Sequence, residues 1–273
     1  MTSIERFDFV GAQGAMLSGR LHRPNGPASG AVLLAHCFTC SKDLHTMTRI
    51  ASGLAEAGYA ALRFDFTGLG ESGGDFADTS LSANVSDLSR AATALIGRGF
   101  GPCGLIGHSL GGAAAILAAT RLKTVRSLVT IGAPADAGHL RHLIDAEWSD
   151  LAAGVPAVIT VAERRFRLNP GFVTDLQTHD VTTAASLLGR PYCIVHAVDD
   201  TVVTYDNAET LFRAAAEPKR LAPLERGGHL FASPADAEAL LAEILDWFGA
   251  TLARPGAGAR PPAPERGGAY WAS

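Results

Sequence analysis

Short apolar segments alternate with amphipathic segments of helical length from about residue 30 to residue 252. Ala31 to Ala35 is a continuous apolar run, which is typical of a strand buried on both faces of a sheet. Between Leu81 and Leu95 the apolar residues recur every three or four positions, the spacing of one helix face. Repeated strand and helix pairs of this kind predict a mostly parallel sheet with helices on both faces.

The same patterns give the bounds of the predicted elements. The predicted strands are Ile4 to Val10, Met16 to Arg23, Ala31 to Ala35, Tyr59 to Phe66, Cys103 to Ile106, Ser127 to Ile131, Tyr192 to His196 and Arg220 to Leu224. The predicted helices are Leu44 to Ala57, Ser82 to Ile96, Gly111 to Leu122, Asn207 to Ala215 and Ala235 to Leu252. We expect the first two strands to form an antiparallel pair around the turn at residues 11–14.

The regular alternation breaks down between Gly132 and Arg190. A helical patch near Leu140 to Trp148 precedes two alternating runs, Ala157 to Val161 and Arg165 to Leu168, which predict a β-hairpin. We interpret residues of about 133–189 as a cap inserted into one domain of residues 1–252. Residues 253–273 are rich in Pro and Gly and predict a flexible tail.

Composition narrows the class of protein. Apolar residues make up 47% of the chain and charged residues 18%, as in a globular protein, and no apolar run long enough to span a membrane occurs. The net charge is −4 without a basic run, so we expect neither a nucleic-acid nor a membrane partner. Because Met1 to Val10 lacks the pattern of a secretory signal, we expect a cytoplasmic location. A monomer and a homodimer remain equally open.

The strongest chemical signal is Gly107-His108-Ser109-Leu110-Gly111, between an apolar strand and a helix rich in small residues. A nucleophile on such a sharp turn needs small residues two positions before and after it, which Gly107 and Gly111 provide. The Leu110 amide would lie at the helix N-terminus, where it can donate to a developing oxyanion. The context predicts Ser109 as a catalytic nucleophile.

A serine hydroxyl needs a base, and in this arrangement the acid and the histidine follow the serine in the chain. Of the late histidines His179, His196 and His229, only His229 lies in a Gly-Gly-His loop after the last predicted strand. Asp199 and Asp200 follow the next-to-last strand and compete for the role of the acid, since their side chains diverge on an extended segment.

The loop after Ala31 to Ala35 is expected to supply a second oxyanion donor, the Phe38 amide. Further candidates for the substrate pocket are His36, Cys37, His108 and Ala133. The Gly-rich segment from Arg63 to Gly74 is interpreted as a structural loop that shapes one wall of the site.

Cys37 and Cys40 are close enough in sequence for a redox pair or half of a metal site. Four cysteines are too few for a disulfide scaffold, and in the cytoplasm free thiols are expected. No second Cys-x-x-Cys is present, while Cys103 and Cys193 are isolated strand residues expected in the core. We favour two small residues tolerated in a tight loop, and we expect no metal and no cofactor.

Several motifs in order resemble those of the α/β-hydrolase family. They are H-C-F-T-C-S-K-D from residue 36, R-F-D-F-T-G-L-G-E-S-G-G from 63, G-H-S-L-G-G-A-A from 107, G-A-P-A-D from 132, H-A-V-D-D-T-V-V-x-x-D-N-A from 196 and G-G-H-L from 227. More narrowly, the chain resembles the hydrolase domain often fused to an OsmC-type domain, over about Ile4 to Leu252. The resemblance implies an α/β-hydrolase fold, with a mostly parallel eight-stranded sheet and a small cap.

The resemblance also implies a triad of Ser109, Asp200 and His229, with Phe38 and Leu110 as oxyanion amides. The chain departs from the family where Cys37 and Cys40 stand in a loop that is often glycine-rich. The residues after Leu252 are too few for an OsmC-type domain, so no peroxide-related role is carried over.

The leading hypothesis is a serine esterase that hydrolyses small to medium carboxylic esters through an acyl-enzyme. The acyl size follows from the resemblance and from the modest size of the cap. Thioester, amide and polyester substrates remain open because a triad does not fix the leaving group. A thiol-redox role at Cys37 and Cys40 is the alternative enzyme function, and a binding protein that retains the fold is the non-enzymatic one.

Overall fold

The computed structural model describes residues 1–101 and 103–252, so the predicted tail lies outside the described residues. A central sheet of eight strands has the order β1-β4-β6-β5-β7-β8-β11-β12. Its strands are β1 (Ser3–Arg6), β4 (Gly19–Arg23), β5 (Gly30–Ala35), β6 (Tyr59–Phe64), β7 (Cys103–His108), β8 (Val125–Ile131), β11 (Tyr192–Ala197) and β12 (Lys219–Leu224). Two short strands, β2 (Phe9–Val10) and β3 (Met16–Leu17), pair with each other beside it.

Strand β4 is antiparallel to both of its neighbours in this sheet, β1 and β6. The pairs from β6 through β5, β7, β8, β11 and β12 are all parallel. Strands β5, β6, β7 and β11 are buried along their whole length, because helices cover both faces. The predicted fold class, a mostly parallel eight-stranded sheet flanked by helices, is confirmed.

The helices divide between the two faces. They are α1 (His45–Glu56), α2 (Leu81–Gly97), α3 (Leu110–Arg121), α7 (Asp206–Ala214) and α8 (Pro234–Thr251). Residues of α1 and α8, such as Ile50 and Trp247, share one hydrophobic core, and those of α2, α3 and α7, such as Leu88, share the other. Ser80 and Ser233 cap α2 and α8 by accepting a backbone hydrogen bond through their side chains.

The chain between β8 and β11, hereafter the β8–β11 segment, carries its own short elements. These are a 3₁₀ helix (Ala137–Leu143), α4 (Asp145–Ala152), a hairpin of β9 (Ala157–Val161) and β10 (Arg164–Leu168), α5 (Gly171–Gln177) and α6 (Val181–Ser186). The hairpin agrees with the predicted one, and its turn at Ala162 and Glu163 has positive φ at both residues. The role of this segment as a cap stays a prediction.

Two parts of the fold differ from the sequence-based expectation. The opening hairpin is divided into two ladders, because the Ser18 amide donates to the Ser72 hydroxyl and the Ser18 carbonyl accepts from the Asp65 amide. Helices α5 and α6 were not predicted, since each is shorter than two full turns. The apolar spacing of Phe172, Val173 and Leu176 is the signal that indicates α5.

Candidate active site

The candidate residues lie on loops at one edge of the sheet. Strand β5 has β6 on one side and β7 on the other. The order in which successive strands are added to the sheet therefore reverses at β5 and β7. Ala35 of β5 pairs with Gly107 of β7, which brings the loops after these strands to the same level. Ligands of open α/β sheets bind in the crevice at such a point.

Ser109 lies between β7 and α3 with a strained backbone, at φ 54° and ψ −125°. A left-handed conformation costs a non-glycine residue energy and persists where the surroundings enforce it. A Cβ on Gly107 would lie 2.4 Å from the Gly111 carbonyl oxygen, and one on Gly111 would lie 2.3 Å from the His36 carbonyl oxygen. Both positions therefore require glycine, as the sequence argument expects.

His229 lies opposite the end of β11, with its ring bonded to Asp200. The distance from His229 Nδ1 to Asp200 Oδ2 is 2.8 Å. Because an ionised carboxylate only accepts hydrogen bonds, Nδ1 carries the proton. In the neutral ring this leaves Nε2 as an acceptor, the state required of a general base.

Asp200 is held on both carboxylate oxygens. Its Oδ1 accepts hydrogen bonds from the Val202 and Val203 amides at 2.8 and 2.9 Å. Burial by itself would raise the pKa of Asp200, but hydrogen bonds from His196 and His229 outweigh it and hold the pKa well below its ordinary value. The carboxylate is therefore ionised at neutral pH.

Asp199 contacts the loop of residues 227–231, hereafter the histidine loop, at Gly228 and not at His229. Its Oδ1 accepts a hydrogen bond from the Gly228 amide at 2.8 Å, and among the described residues its side chain makes no hydrogen bond with the His229 ring. Of the other late histidines, His196 donates through Nε2 to the Val203 carbonyl, and His179 contacts Ser82 on α2. The geometry thus favours Asp200 over Asp199 as the partner of His229.

His229 contacts His108, the residue before Ser109, and is not hydrogen-bonded to Ser109 in the described part of the chain. Among the described residues, no hydrogen bond joins the Ser109 hydroxyl to the His229 ring. The ring of His108, the residue before Ser109, lies 4.9 Å from the ring of His229 between centroids. Catalytic hydrogen bonds of this type commonly tighten when a substrate binds.

The two candidate oxyanion donors are the amides of Phe38 and Leu110. Within the described part of the chain, neither amide donates to a protein acceptor. The loop conformation that presents Phe38 includes Thr39 at φ 58°, whose hydroxyl donates to the Phe38 carbonyl at 2.7 Å. Leu110 begins α3, where the first amides of a helix have no partner within it.

The side chain of Phe38 is fixed by aromatic neighbours. Its ring stacks on Phe172 of α5 at 5.5 Å and packs against Phe76 at 5.7 Å. Arg164, in the hairpin of β9 and β10, donates a hydrogen bond from its guanidinium to the Thr39 carbonyl at 3.3 Å. The β8–β11 segment therefore contacts the loop that carries one candidate oxyanion amide.

Cys37 and Cys40 form a disulfide, which corrects the expectation of free thiols in this loop. The turn at Phe38 and Thr39 brings their Cα atoms to 5.3 Å, within the range that a disulfide bridges. The expectation of free thiols rested on the number of cysteines and on the expected compartment, and neither reveals a turn that brings two cysteines together. Cys103 and Cys193 are free and buried, as expected.

The four residues proposed for the substrate pocket, His36, Cys37, His108 and Ala133, are all buried. His36 donates through Nδ1 to the Cys37 carbonyl at 2.8 Å and accepts through Nε2 from the Phe66 amide at 3.3 Å. Both nitrogens are thus engaged with backbone, so His36 links two loops. For Cys37 and Ala133 a substrate contact stays a prediction.

A buried ion cluster beneath the Phe38 loop was not predicted. Lys42 Nζ lies 2.7 Å from Asp65 Oδ2 and 2.9 Å from Glu71 Oε2. Burial by itself would lower the pKa of Lys42, but hydrogen bonds to Asp65 and Glu71 raise it above its ordinary value. The signal in the sequence is Asp65, a carboxylate that directly follows a fully buried strand. The segment of Arg63 to Gly74 thus positions the Phe38 loop.

Within residues 1–101 and 103–252, no three His, Cys, Asp or Glu side chains are grouped so that they could hold a metal ion. None of the helices in this part of the chain combines the length and apolar character needed to cross a membrane.

Comparisons with known proteins agree with this architecture. The esterase domain of a Rhodothermus marinus protein superposes with a TM-score of 0.75 at 34% identity, covering 92% of this chain and 99% of that domain. The α/β hydrolase GrgF from Penicillium sp. sh18 has a TM-score of 0.76 at 19% identity, covering 92% of this chain and 99% of that structure.

Similarity in sequence is also found among curated proteins. The uncharacterized protein YfhR of Escherichia coli O157:H7 is 25% identical over 234 residues, which are 84% of this chain and 74% of that protein. A family model described as the alpha/beta hydrolase family matches residues 32–263. Taken with the fold and the strained serine turn, this match shows that the chain belongs to the α/β-hydrolase family.

Proposed function

We propose that this chain is a serine esterase that hydrolyses small to medium carboxylic esters through an acyl-enzyme. The observation that carries the proposal is the 2.8 Å bond from His229 Nδ1 to the buried Asp200 carboxylate, on a loop that contacts His108, the residue before Ser109. This bond fixes the tautomer in which Nε2 can accept a proton. Ser109, His229 and Asp200 are the proposed triad.

In the first half of the proposed reaction, Ser109 Oγ attacks the ester carbonyl carbon as its proton passes to His229 Nε2. The carbonyl oxygen becomes an oxyanion, which accepts hydrogen bonds from the Phe38 and Leu110 amides. Each fixed donor of this type contributes about 3 kcal/mol to transition-state stabilisation. The tetrahedral intermediate then expels the alcohol, which takes the proton from His229.

In the second half, water attacks the acyl-serine and gives a proton to His229 Nε2. Collapse of the second tetrahedral intermediate releases the carboxylic acid, and the proton returns to Ser109. The Asp200 carboxylate stabilises the imidazolium in both halves without taking the proton itself. Its low pKa supports this role, because it stays ionised throughout.

The substrate class rests on two arguments. The resemblance to hydrolase domains that are often fused to an OsmC-type domain implies small to medium acyl groups. The β8–β11 segment packs on the Phe38 loop through Phe172 and Arg164, and so supports a short pocket over a long open groove. Thioesters, amides and polyesters would use the same triad, so the leaving group must be measured.

A thiol-redox role at Cys37 and Cys40 has weaker support. The two cysteines are oxidised to a disulfide, but Cys37 is only 5% exposed, which leaves the partly exposed Cys40 as the one point of access for a partner thiol. In our proposal the disulfide is part of the loop that presents the Phe38 amide. The expected partner is therefore a small-molecule ester.

The test is a series of p-nitrophenyl esters with two to sixteen acyl carbons, assayed with wild type and Ser109→Ala. We expect turnover to be highest for short and medium chains, and to fall by at least about a thousandfold in Ser109→Ala. Ser86→Ala, at an exposed serine of α2, is the matched control and should keep wild-type turnover. Unchanged turnover in Ser109→Ala would overturn the proposal.

A further inference from the structure

Among the described residues, the His108 side chain makes one hydrogen bond, and its partner is the proposed base. Its Nε2 lies 2.7 Å from the backbone carbonyl oxygen of His229, across a sequence separation of 121 residues. The His108 side chain is 1% exposed at the end of β7, so it lies beneath the site. The rings of the two histidines are tilted by 37° at a centroid distance of 4.9 Å.

The bonding partner fixes the proton on His108. A carbonyl oxygen only accepts hydrogen bonds, so Nε2 must be the protonated nitrogen. Nδ1 is buried without a partner in the described part of the chain. Burial and the neighbouring His229 lower the pKa of His108 to about 3, so the ring is neutral where a serine hydrolase works.

The other side-chain bonds to the backbone of the histidine loop act on the residues before and after His229. The Gly228 amide is held by Asp199, and the Leu230 carbonyl by the Thr46 hydroxyl. The His229 ring is held at Nδ1 by Asp200, a bond about which the ring can still pivot. The His108 bond fixes the carbonyl of residue 229 and with it the direction in which the side chain leaves the backbone.

We propose that His108 is a positioning residue, whose Nε2–H fixes the His229 backbone so that His229 Nε2 is directed at Ser109. This inference rests on the proposed function. A neutral neighbour also suits the reaction, because a second positive charge at this distance would oppose formation of the His229 imidazolium. His108 thus acts on the rate of the chemical step without touching the substrate.

The test compares His108→Gln with His108→Met. Gln can place an amide N–H near the position of Nε2, whereas Met has a similar size and no donor. We expect His108→Gln to keep kcat within about fivefold of wild type and His108→Met to lose about 10- to 100-fold, because small displacements of a catalytic group are costly. KM should stay within about twofold in both, since only the chemical step changes.

A structural role alone would not produce this pattern. Equal kcat in the Gln and Met variants, or a loss confined to KM, would overturn the inference; the second result would make His108 a substrate contact. Thermal melting checks that each variant is folded, and His108→Phe replaces the Met variant if that one is unfolded at the assay temperature.

The labelling rate of Ser109 by a fluorophosphonate separates this inference from the proposed function. Absence of ester turnover in wild type would refute the esterase proposal. The labelling rates would still decide on His108, because labelling requires only an activated serine. Slower labelling in His108→Met than in His108→Gln supports the positioning role, and equal rates refute it.

Discussion

Lys42 and Asp65 form a fully buried pair that is joined by two hydrogen bonds. Nζ of Lys42 lies 2.7 Å from one carboxylate oxygen of Asp65, and the backbone amide of Lys42 lies 2.6 Å from the other. Both side chains have no exposed surface. The pair joins the loop that carries Phe38 to the turn after β6, and the Glu71 amide donates to the same carboxylate at 2.9 Å. A single carboxylate therefore sets the distance between two loops at the edge of the site.

We expect Lys42→Met to lower the free energy of unfolding by about 3 to 5 kcal/mol, because it leaves the Asp65 charge buried without a partner. Adding Asp65→Asn should recover part of this loss, since the buried charge is then removed as well. Urea unfolding of the single and double variants measures the coupling. Lys123→Met, at an exposed lysine, is the control. Strictly additive losses would contradict the pairing.

Asp200→Asn should reduce kcat by about a thousandfold or more, because an amide cannot hold the required His229 tautomer. Asp199→Asn should cost less than about tenfold, since Asn retains an oxygen that can accept from the Gly228 amide. Both variants are assayed in parallel on the same p-nitrophenyl ester. The reverse ranking would assign the acid to Asp199.

Reduction of the Cys37–Cys40 disulfide should change ester hydrolysis by less than about tenfold. The loop is also held by Lys42 on one side and by the Phe38 ring packed on Phe172 on the other. The measurement compares kcat in wild type and in Cys37→Ala/Cys40→Ala, before and after dithiothreitol. Reversible inactivation of wild type alone would show that the disulfide controls the Phe38 amide.

The stability of the fold should decrease in mild acid because of His22. This side chain is 1% exposed and accepts a hydrogen bond from Arg63 Nε at 2.9 Å. Burial and the Arg63 charge lower its pKa from 6.5 to about 4. Between these values the unfolded chain binds a proton that the folded chain does not, so unfolding becomes easier as the pH falls.

The decrease in the free energy of unfolding that His22 causes is about 3 kcal/mol between pH 6.5 and pH 4. His22→Gln keeps an acceptor but does not titrate, so its free energy of unfolding should fall less steeply over this interval. Urea unfolding at pH 7 and at pH 4.5 measures the difference. His45→Gln, at an exposed histidine, is the control. If the free energy of unfolding falls equally with pH in wild type and in His22→Gln, His22 is not the cause.

The sequence predicts most of the fold because its strands and helices are long and strongly patterned. The predicted helix Ser82 to Ile96 is observed as Leu81–Gly97, and the hairpin of β9 and β10 agrees to within one residue. The candidate nucleophile also follows from a local signal, the glycines two positions before and after Ser109, although the contacts that require Gly111 come from Ala35 and His36 at the end of another strand. Their catalytic roles stay predictions.

The remaining features depend on contacts between distant parts of the chain. The preference for Asp200 over Asp199 depends on which carboxylate bonds to the His229 ring, because Asp199 bonds to the Gly228 amide of the same loop instead. The bond from His108 to His229 and the pair of Lys42 and Asp65 likewise join loops after different strands. Periodicity along one element carries no information about such partners, so they become visible only in the folded structure.

The packing of Phe38 on Phe172 makes the β8–β11 segment more than an exchangeable module. The backbone of Phe38 faces the proposed reaction, whereas its ring belongs to the packing of that segment. Under the proposed mechanism, grafting a relative's segment onto this sheet would therefore alter the position of the candidate oxyanion donor together with the shape of the proposed pocket. Substrate range and catalytic rate would then depend on the same aromatic contact, and a change in one would require readjustment of the other.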